Sequence, residues 1–444
     1  MNNVHLTNQL SKEIFNVTQK FTKHLSKPQQ GNFREIVRGL VTTGSSYLSQ
    51  IAKSNSNKNN VRKDVERYSN TLSKINIESF HQIHINSYVS QIKNEPILIL
   101  SDGGDFQKPY AQKMEGVCKN VDGSNGHKVG KGFPLQSLVA YGTKTKNMVP
   151  LACHVFSTQT EDYKSNWHEH QKVFDMLTPL IESSVHDRII VEDRGCDDQK
   201  RFKYFLEDLN CSFVIRVSAG KKSRNVVVKN EDNIEITTSI QYLDKDLKNK
   251  VNSKRTWFNK KIKKELTSKI AYQKVFLPDS KDIPLYAIFV YSEGYDDPLV
   301  VLTDLITEND EQAWKHFFYY KKRWEVENFY RAIKQTFGAE KFLILSFKKI
   351  QALVFLLMFV MSLIIRIKQK SKEFFGMVYC LFKSFCKKEQ RSSDHHLDIL
   401  AFIRNHIPKV FDGYSYRFYS RYFSKNRCTI NECQLKLFDF RKNW

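Results

Sequence analysis

Apolar residues recur at helical spacing in the first part of the chain. One helix is defined by apolar residues three or four positions apart: Val61, Val65, Tyr68 and Leu72. A polar Ser/Asn run precedes it, and an earlier helical pattern covers residues 40–53. Residues 1–95 hold 13 Lys and Arg against 6 Asp and Glu. Two basic helices around a polar turn fit a small DNA-reading module, and an ordinary helical bundle fits the pattern equally well.

Short continuous apolar runs follow, and they predict β-strands that are buried on both faces. These runs cover residues 96–102, 135–141, 149–156, 189–193 and 213–217. Helical spacing appears between them, over residues 167–181 and 201–209. The succession of three strands, helix, strand, helix and strand predicts a mixed α/β core, whose first part spans residues 96–217.

A third region, residues 218–303, combines strand-like runs with basic charge. The runs are 270–277, 285–291 and 299–303, and residues 245–274 hold 11 Lys and Arg against 2 acids. A β-rich insertion with a basic surface and a solvated lysine-rich loop fit this composition equally well. The chain then becomes mainly helical, and residues 304–367 are assigned to the second part of the core.

The end of the chain, residues 368–444, is predicted to be a helical region that serves dimerisation or DNA contact. Residues 411–428 interleave Tyr and Phe with Lys and Arg, which suits base stacking but suits a packed helix with a basic rim somewhat better. Residues 350–367 are almost long enough to cross a bilayer, yet they contain Gln351 and Arg366. A helix buried on all sides is the preferred interpretation, and we expect no membrane contact.

Composition narrows the class of partner. Lys and Arg exceed Asp and Glu by 70 to 47, a net charge of +23, and apolar residues make up 41 % of the chain. This is enough apolar material for a large core, which excludes a disordered basic tail, and the charge points to a polyanion, with nucleic acid first. The eight cysteines form no CxxC pair, and residues 1–20 hold no continuous apolar run. We therefore expect reduced cysteines and a cytoplasmic protein.

A zinc site in the C-terminal region is possible but disfavoured, because the spacing of its four candidate ligands is loose: His395, His396, Cys428 and Cys433.

Acidic residues stand where buried strands end. Asp102 and Asp193 each close an apolar run, and Glu327 lies on a helix far downstream. A buried carboxylate is costly unless it is paired or bound to a metal, and two on neighbouring strands repel each other. Oxygen ligands without nearby Cys or His favour Mg²⁺ or Mn²⁺, and three carboxylates suit a two-ion site for phosphodiester chemistry. Asp105 competes with Asp102, which we prefer because it directly ends its run.

The helix that carries Glu327 brings four polar side chains to one face. At about 100° per residue, this face holds Tyr320, Arg323, Glu327 and Lys334, beside an apolar stripe that packs on the core. On spacing alone, a solvated charged face with an Arg323–Glu327 pair fits somewhat better than a functional site.

Residues 320–334 (YKKRWEVENFYRAIK) match the motif Y-(2)-R-(3)-E-(6)-K at all four positions, and so resemble DDE transposases of the insertion-sequence-four family. The VEDRG block around Asp193 resembles the family's second acidic block, and LILSDGGD around Asp102 resembles the first. The FVIR run at residues 213–216 is similar to a strand that follows the second block. The resemblance covers about residues 30–367.

The resemblance implies an α/β protein with a ribonuclease H-like catalytic core and a β-rich insertion. An N-terminal helical DNA-binding domain would precede the core, and a helical C-terminal region would follow it. The implied reaction is Mg²⁺-dependent cleavage at transposon ends and strand transfer into target DNA, which is cut-and-paste transposition of an insertion sequence. The metal ligands would be Asp102, Asp193 and Glu327, with two Mg²⁺ ions that Mn²⁺ can replace.

The remaining motif residues, Tyr320, Arg323 and Lys334, would contact DNA near the scissile phosphate, with Arg323 as a bidentate phosphate clamp. The implied partners are double-stranded DNA, as terminal inverted repeats and as target, and a second copy of the chain on paired ends. No organic cofactor is expected, and the protein would associate with a prokaryotic nucleoid.

Several residues are left out of the predicted site. Asp197 and Asp198 follow Asp193 and are expected to cap the next helix. In the family an aromatic residue of the insertion holds a flipped base; Trp257 and Trp314 are candidates without a motif match, and a lone Trp is more often a core residue. The competing function is an inactive or regulatory relative that binds transposon ends without cutting them, and the intact acidic triad argues against it.

Overall fold

The computed structural model describes residues 15–55, 60–92, 94–122, 128–183, 187–230, 232–251, 253–259, 262 and 264–370. The predictions made for residues 371–444, including the aromatic stretch at 411–428, lie outside these described residues. The same holds for the four candidate zinc ligands, His395, His396, Cys428 and Cys433.

Within the described residues, a helical stretch over residues 15–22 comes first, and four further helices follow it before the sheet. They are α1 (Lys27–Thr43), α2 (Leu48–Asn55), α3 (Val61–Leu72) and α4 (Ile77–Ile92). The helical pattern at residues 40–53 is divided between α1 and α2, because Gly44 takes a left-handed conformation with φ 56° that ends α1. The helix predicted from residues 61–72 matches α3.

Within the described residues, the strands form one 12-stranded mixed sheet. Its first six strands are β1 (Ile97–Gln107), β2 (Cys118–Asp122), β3 (Lys128–Gly142), β4 (Met148–Val155), β5 (Arg188–Glu192) and β6 (Ser212–Val217). β3 is antiparallel to β1, β2 and β4, whereas β5 is parallel to both β1 and β6. The central strand order is therefore β4–β3–β1–β5–β6. Each of the five apolar runs in the sequence forms one of these five strands.

Helices α5 (Asn166–Asp175), α6 (Thr178–Ser183) and α7 (Gln199–Lys203) connect the later strands, and a π-helical turn at Tyr204–Asp208 extends α7. The single helix predicted over residues 167–181 is divided between α5 and α6. Pro179 has no backbone N–H to donate to the carbonyl of Asp175. The hydroxyl of Thr178 donates to that carbonyl instead, at 2.8 Å.

Residues 218–303 extend the same sheet. They form β7 (Asn225–Lys229), β8 (Glu235–Ser239), α8 (Ile240–Leu247), β9 (Ser253–Asn259), β10 (Lys264–Leu277), β11 (Ser280–Ser292) and β12 (Leu299–Thr303). β12 pairs antiparallel with β6, and the order continues through β11, β10 and β7 to β8, with β9 on β10. The sequence pattern treated this region as an interruption, but its strands continue the core sheet edge to edge.

The final described helices cover one face of this sheet. They are α9 (Asp310–Lys321), α10 (Trp324–Arg331) and α11 (Phe347–Lys370), with a π-helical segment at Ala332–Thr336 and a 3₁₀ turn at Ala339–Lys341. Residues 352–360 of α11 are at most 1 % exposed, so the prediction of a helix buried on all sides is confirmed. Nowhere in the described part of the chain does a helix have the length and apolar character that a membrane span requires.

An aromatic cluster joins the N-terminal helices to α11. The ring of Phe21 lies 4.8 Å from that of Phe359, and the ring of Phe80 in α4 lies 5.6 Å from that of Phe355. Phe33 of α1 contacts Phe80 at 5.7 Å. The N-terminal helices and the sheet-covering helix therefore share one hydrophobic core.

Candidate active site

The two aspartates lie side by side at one edge of the sheet. The parallel ladder between β1 and β5 pairs Ile97 with Arg188 and ends where Leu100 pairs with Val191. Asp102 lies two residues past the end of that ladder on β1, and Asp193 lies two residues past it, directly after β5. Because the strands are parallel, both acids emerge at the same end.

A break in the helix that follows the sheet places the third acid. The sequence pattern treated residues 320–337 as one continuous helix, but α9 ends at Lys321 and α10 begins at Trp324. Between them, backbone N–H groups bond three residues back, as in Arg323 N to Tyr320 O at 3.0 Å, instead of four. Glu327 lies in the first turn of α10.

Tyr330 fixes α10 against the strand that carries Asp102. Its hydroxyl donates a 2.5 Å hydrogen bond to the backbone carbonyl of Asp102. The approach is so close that a Cβ at Gly104 would lie 3.1 Å from the tyrosine ring. Glycine at position 104 therefore allows the helix of Glu327 to pack against the strand of Asp102.

The guanidinium of Arg323 contacts all three predicted metal ligands. Its Nη1 lies 3.3 Å from Oδ1 of Asp102, and its Nη2 lies 3.6 Å from Oδ2 of Asp193 and 2.7 Å from Oε1 of Glu327. The arginine side chain is 7 % exposed. The structure thus brings together three acids that are far apart in the sequence, around one cation.

The other two predicted DNA contacts lie at different distances from this centre. The hydroxyl of Tyr320 donates to Oδ1 of Asp193 at 3.0 Å, and Tyr320 is buried. Lys334 contacts none of the three acids in the described structure. Its Nζ lies 3.0 Å from Oδ1 of Asp105 and 3.1 Å from Oε1 of Glu340. Asp105, the rival for the first acidic position, is therefore engaged with Lys334.

Burial and charge separate the two aspartates. Burial raises the pKa of the Asp102 carboxyl to about 7; Glu327 and Asp193 add to this effect, and Arg323 opposes it. Burial also acts to raise the pKa of Asp193, but Arg323, a backbone hydrogen bond at Arg194 and the Tyr320 hydroxyl outweigh it, so the pKa is lowered. Of the two aspartates, Asp102 is therefore the one that takes up a proton more readily.

A polar network that the sequence analysis missed lies beside the acids. Glu192, at 0 % exposure, accepts hydrogen bonds from Ser101 at 2.7 Å and from Nη1 of Arg201 at 2.9 and 3.0 Å. The amide of Gln136 donates to the Ser101 hydroxyl at 2.7 Å. The available signal was Glu192 itself, a charged residue inside an otherwise apolar strand run.

The residues left out of the predicted site are placed as follows. Asp198 caps α7, since its side chain accepts from the backbone N of Lys200, as expected. Asp197 does not cap α7; its carboxylate pairs with Nε of Arg224 at 2.7 Å.

The structure also shows where the two candidate tryptophans lie. Trp314 is fully buried in α9, which lies outside the insertion, and Trp257 on β9 is partly buried beneath Nζ of Lys321.

The donor set fits a hard divalent cation in chemistry and in charge. The set consists of three carboxylates, and the pKa of one of them, Asp102, is raised. Arg323 lies between these carboxylates, and its buried Nε has no hydrogen-bond partner among the described residues. No group of three or more His, Cys, Asp or Glu side chains in the described ranges is arranged to hold an ion directly. The guanidinium of Arg323 supplies the positive charge between the acids in this arrangement.

A family model described as the transposase DDE domain matches residues 94–363, which is more than half of the chain. This range contains β1 to β12, Arg323 and all three acids. No match is found among curated proteins.

Proposed function

The chain belongs to the transposase DDE domain family, and from this premise we propose that it cuts DNA at transposon ends and joins those ends to target DNA. One observation carries the proposal. Asp102, Asp193 and Glu327, which come from two strands and a helix, all contact the guanidinium of Arg323 within 3.6 Å. A structural charged surface does not require acids from three separate elements to meet around a single buried cation.

The proposed architecture is a ribonuclease H-like core. The strand order β4–β3–β1–β5–β6 supports it, with β3 antiparallel to its neighbours and β1, β5 and β6 parallel. In this arrangement the first acid lies on the central strand and the second follows the adjacent parallel strand. We further propose that the N-terminal helices bind DNA.

We propose that Asp102, Asp193 and Glu327 hold Mg²⁺, with Mn²⁺ as a substitute and two ions in the complete site. When bound, the metal would activate the attacking oxygen and stabilise the leaving oxygen at phosphorus. The chain's own contribution is to hold three carboxylates at one place and to keep a cation, Arg323, among them. Because the Arg323 guanidinium contacts oxygens of all three carboxylates, it would have to give up some of these contacts when the carboxylates hold a metal ion.

The loss of these contacts would give Arg323 a role toward DNA. A guanidinium released by the carboxylates presents paired N–H donors that match a phosphate. Tyr320 donates its hydroxyl to Asp193, and the side chain of Lys334 is 27 % exposed. We propose that Tyr320, Arg323 and Lys334 contact DNA beside the scissile phosphate.

The finer assignment is to the insertion-sequence-four family, on the strength of the complete motif over residues 320–334. This assignment implies cut-and-paste transposition by a dimer on paired terminal inverted repeats.

The test is cleavage of the element's own terminal repeats by purified protein with Mg²⁺. We expect Asp102→Asn, Asp193→Asn and Glu327→Gln each to abolish cleavage while DNA binding, measured by gel shift, is retained. Each substitution removes a carboxylate charge and little volume, so the fold is preserved.

Two matched substitutions serve as controls. Asp198→Asn changes an exposed cap to another good cap residue and should leave cleavage unchanged. Asp105→Asn should still permit cutting, since Asp105 contacts Lys334 rather than the acidic centre. Full cleavage by Asp102→Asn with loss of cleavage in Asp105→Asn would reverse the assignment of the first acid. Binding to the repeats without cutting in any divalent metal would favour an inactive relative.

A further inference from the structure

The backbone ladder that joins the two aspartate strands stops short of the aspartates. Its last pair is Leu100 with Val191. The next residue on each strand is Ser101 on β1 and Glu192 on β5, and their side chains are joined by a 2.7 Å hydrogen bond. Each of these residues directly precedes one of the acids. The first link between the strands beyond the ladder is therefore made by side chains.

Glu192 is held rigidly from the helix side. It is fully buried, and both of its carboxylate oxygens accept from Nη1 of Arg201 on α7. Nη2 of Arg201 lies 2.8 Å from Nδ1 of His170, and its guanidinium lies 4.5 Å above the ring of Trp167. A buried carboxylate with several fixed partners has one preferred position, because each lost contact would leave a buried charge unsatisfied.

Ser101 is held from the other direction. Gln136 lies on β3, where it pairs with Gly103, and its amide reaches the Ser101 hydroxyl at 2.7 Å. The chain of contacts Gln136, Ser101, Glu192 and Arg201 thus crosses three adjacent strands and continues into α7. Gln136 and Ser101 are each 1 % exposed.

This network lies on the opposite face of the sheet from the acids. Successive side chains of a strand point to opposite faces, so Ser101 and Glu192 point away from the face that Asp102 presents to Arg323. Neither residue is in contact with the acidic centre's cation. Replacing a buried ion pair by apolar residues is often neutral for stability, so stability alone does not account for a pair at this position.

We propose that Ser101 and Glu192 are positioning residues that set the separation of the Asp102 and Asp193 carboxylates, and with it the affinity of the site for a divalent cation. The proposal rests on the proposed metal-dependent function. It extends that function to residues that touch neither metal nor DNA.

The experiment measures Mn²⁺ binding to the full chain by calorimetry, without DNA. Ser101→Ala removes the link between the strands and leaves Glu192 paired with Arg201. We expect Mn²⁺ affinity to fall by about tenfold, the lower end of the range for substitutions behind metal ligands. Gln136→Met, which removes the donor to Ser101 at similar volume, is a second variant and should weaken affinity by a smaller factor.

The matched control is Thr303→Val. Thr303 is fully buried in the same sheet, and its hydroxyl donates to the carbonyl of Phe213 on the neighbouring strand β6 at 2.5 Å. This variant also loses a buried hydroxyl between two strands, but away from the acids. It should lower the unfolding temperature about as much as Ser101→Ala and leave Mn²⁺ affinity unchanged.

The outcomes separate the inference from the function on which it rests. Wild-type affinity in both Ser101→Ala and Gln136→Met, or an equal loss in Thr303→Val, would overturn the positioning role while the proposed function stands. A wild-type chain that binds no Mn²⁺, or binds it as well after Asp102→Asn, would overturn the proposed metal site and the inference together.

Discussion

Arg323 lowers the pKa of both aspartates in the centre, and the contacts around it explain why the two differ in acidity. It contacts both, but Asp193 also accepts from the Tyr320 hydroxyl and lies 3.9 Å from Nη1 of Arg216. Asp102 has fewer compensating contacts and is surrounded by Glu327, Asp193 and Glu192. A low pKa at one acid and a raised pKa at the other follow from this asymmetry.

The raised pKa of Asp102 makes a prediction about pH and stability. An acid whose pKa is about 7 when folded and 3.8 when unfolded binds its proton more tightly in the folded state, so its contribution to stability grows as pH falls from 7 towards 4. Asn resembles the protonated form at every pH. The advantage in unfolding free energy of Asp102→Asn over wild type, without metal, should therefore shrink as pH falls from 8 to 5.

Urea unfolding at several pH values measures this difference. Buried histidines whose pKa is lowered by burial titrate in both proteins and so cancel in the comparison: His81, His84, His170 and His316. A difference between the two proteins that does not vary with pH would show that Asp102 is ionised throughout the range.

At the scale of single elements, α11 holds the N-terminal helices to the sheet. Its side chain Phe355 packs against Phe21 and Phe80 with ring centroids 6.1 and 5.6 Å away, and against His81 at 4.9 Å. Gln351 of the same helix donates to the carbonyl of Val155 on β4 at 2.9 Å. One helix therefore contacts both the N-terminal helices and the core.

Phe355→Ala should lower the free energy of unfolding by about 3–5 kcal/mol, since it removes a fully buried ring from a packed cluster. Chemical denaturation monitored by circular dichroism measures the change. Leu343→Ala, at a position that is 74 % exposed, is the control and should change stability by less than about 0.5 kcal/mol. A loss below about 1 kcal/mol for Phe355→Ala would mean that the cluster does not carry this interface.

The break between α9 and α10 determines where Arg323 lies. The helical spacing of Tyr320, Arg323 and Glu327 was visible in the sequence, but a pattern does not show where the backbone changes from bonds four residues back to bonds three residues back. That change occurs at Lys322 and Arg323, where the buried arginine meets acids from two strands.

For the whole molecule, the net charge of +23 is distributed unevenly around an acidic centre. Lys254 on β9 lies directly opposite Lys269 on β10, and both side chains are exposed. Nζ of Lys254 also lies 3.5 Å from Oε1 of Glu293. Like charges directly opposite each other on a sheet are destabilising. Glu293 offsets part of this repulsion, and a polyanion bound to this surface would offset more of it. We therefore propose that the extended part of the sheet holds DNA.

DNA binding should therefore depend strongly on salt. The double variant Lys254→Gln, Lys269→Gln should weaken binding and reduce the slope of log affinity against log salt concentration by about 2, if each lysine neutralises one phosphate. Fluorescence anisotropy with a labelled duplex between low and physiological salt measures both slopes. Identical slopes for the double variant and wild type would place the DNA elsewhere.

The sequence by itself determined the elements and the candidate chemistry. Apolar runs gave eight of the twelve described strands, all except β2, β7, β8 and β9. The spacing of Tyr320, Arg323, Glu327 and Lys334 gave the motif, because strand burial and helical period are local properties of a chain. The same local reasoning placed Asp193 directly after a buried strand and identified the buried helix that includes residues 352–360. The prediction that Asp102 ends its strand was wrong, because pairing with β3 continues β1 to Gln107.

Only the tertiary structure decided what those residues touch. Arg323 meets three acids, Lys334 meets Asp105, and the strands of residues 218–303 join the core sheet through β12. The link between Ser101 and Glu192 also appeared only there. These contacts join residues that are far apart in the chain, and they depend on strand order and register, which a single sequence records only through patterns that many arrangements share.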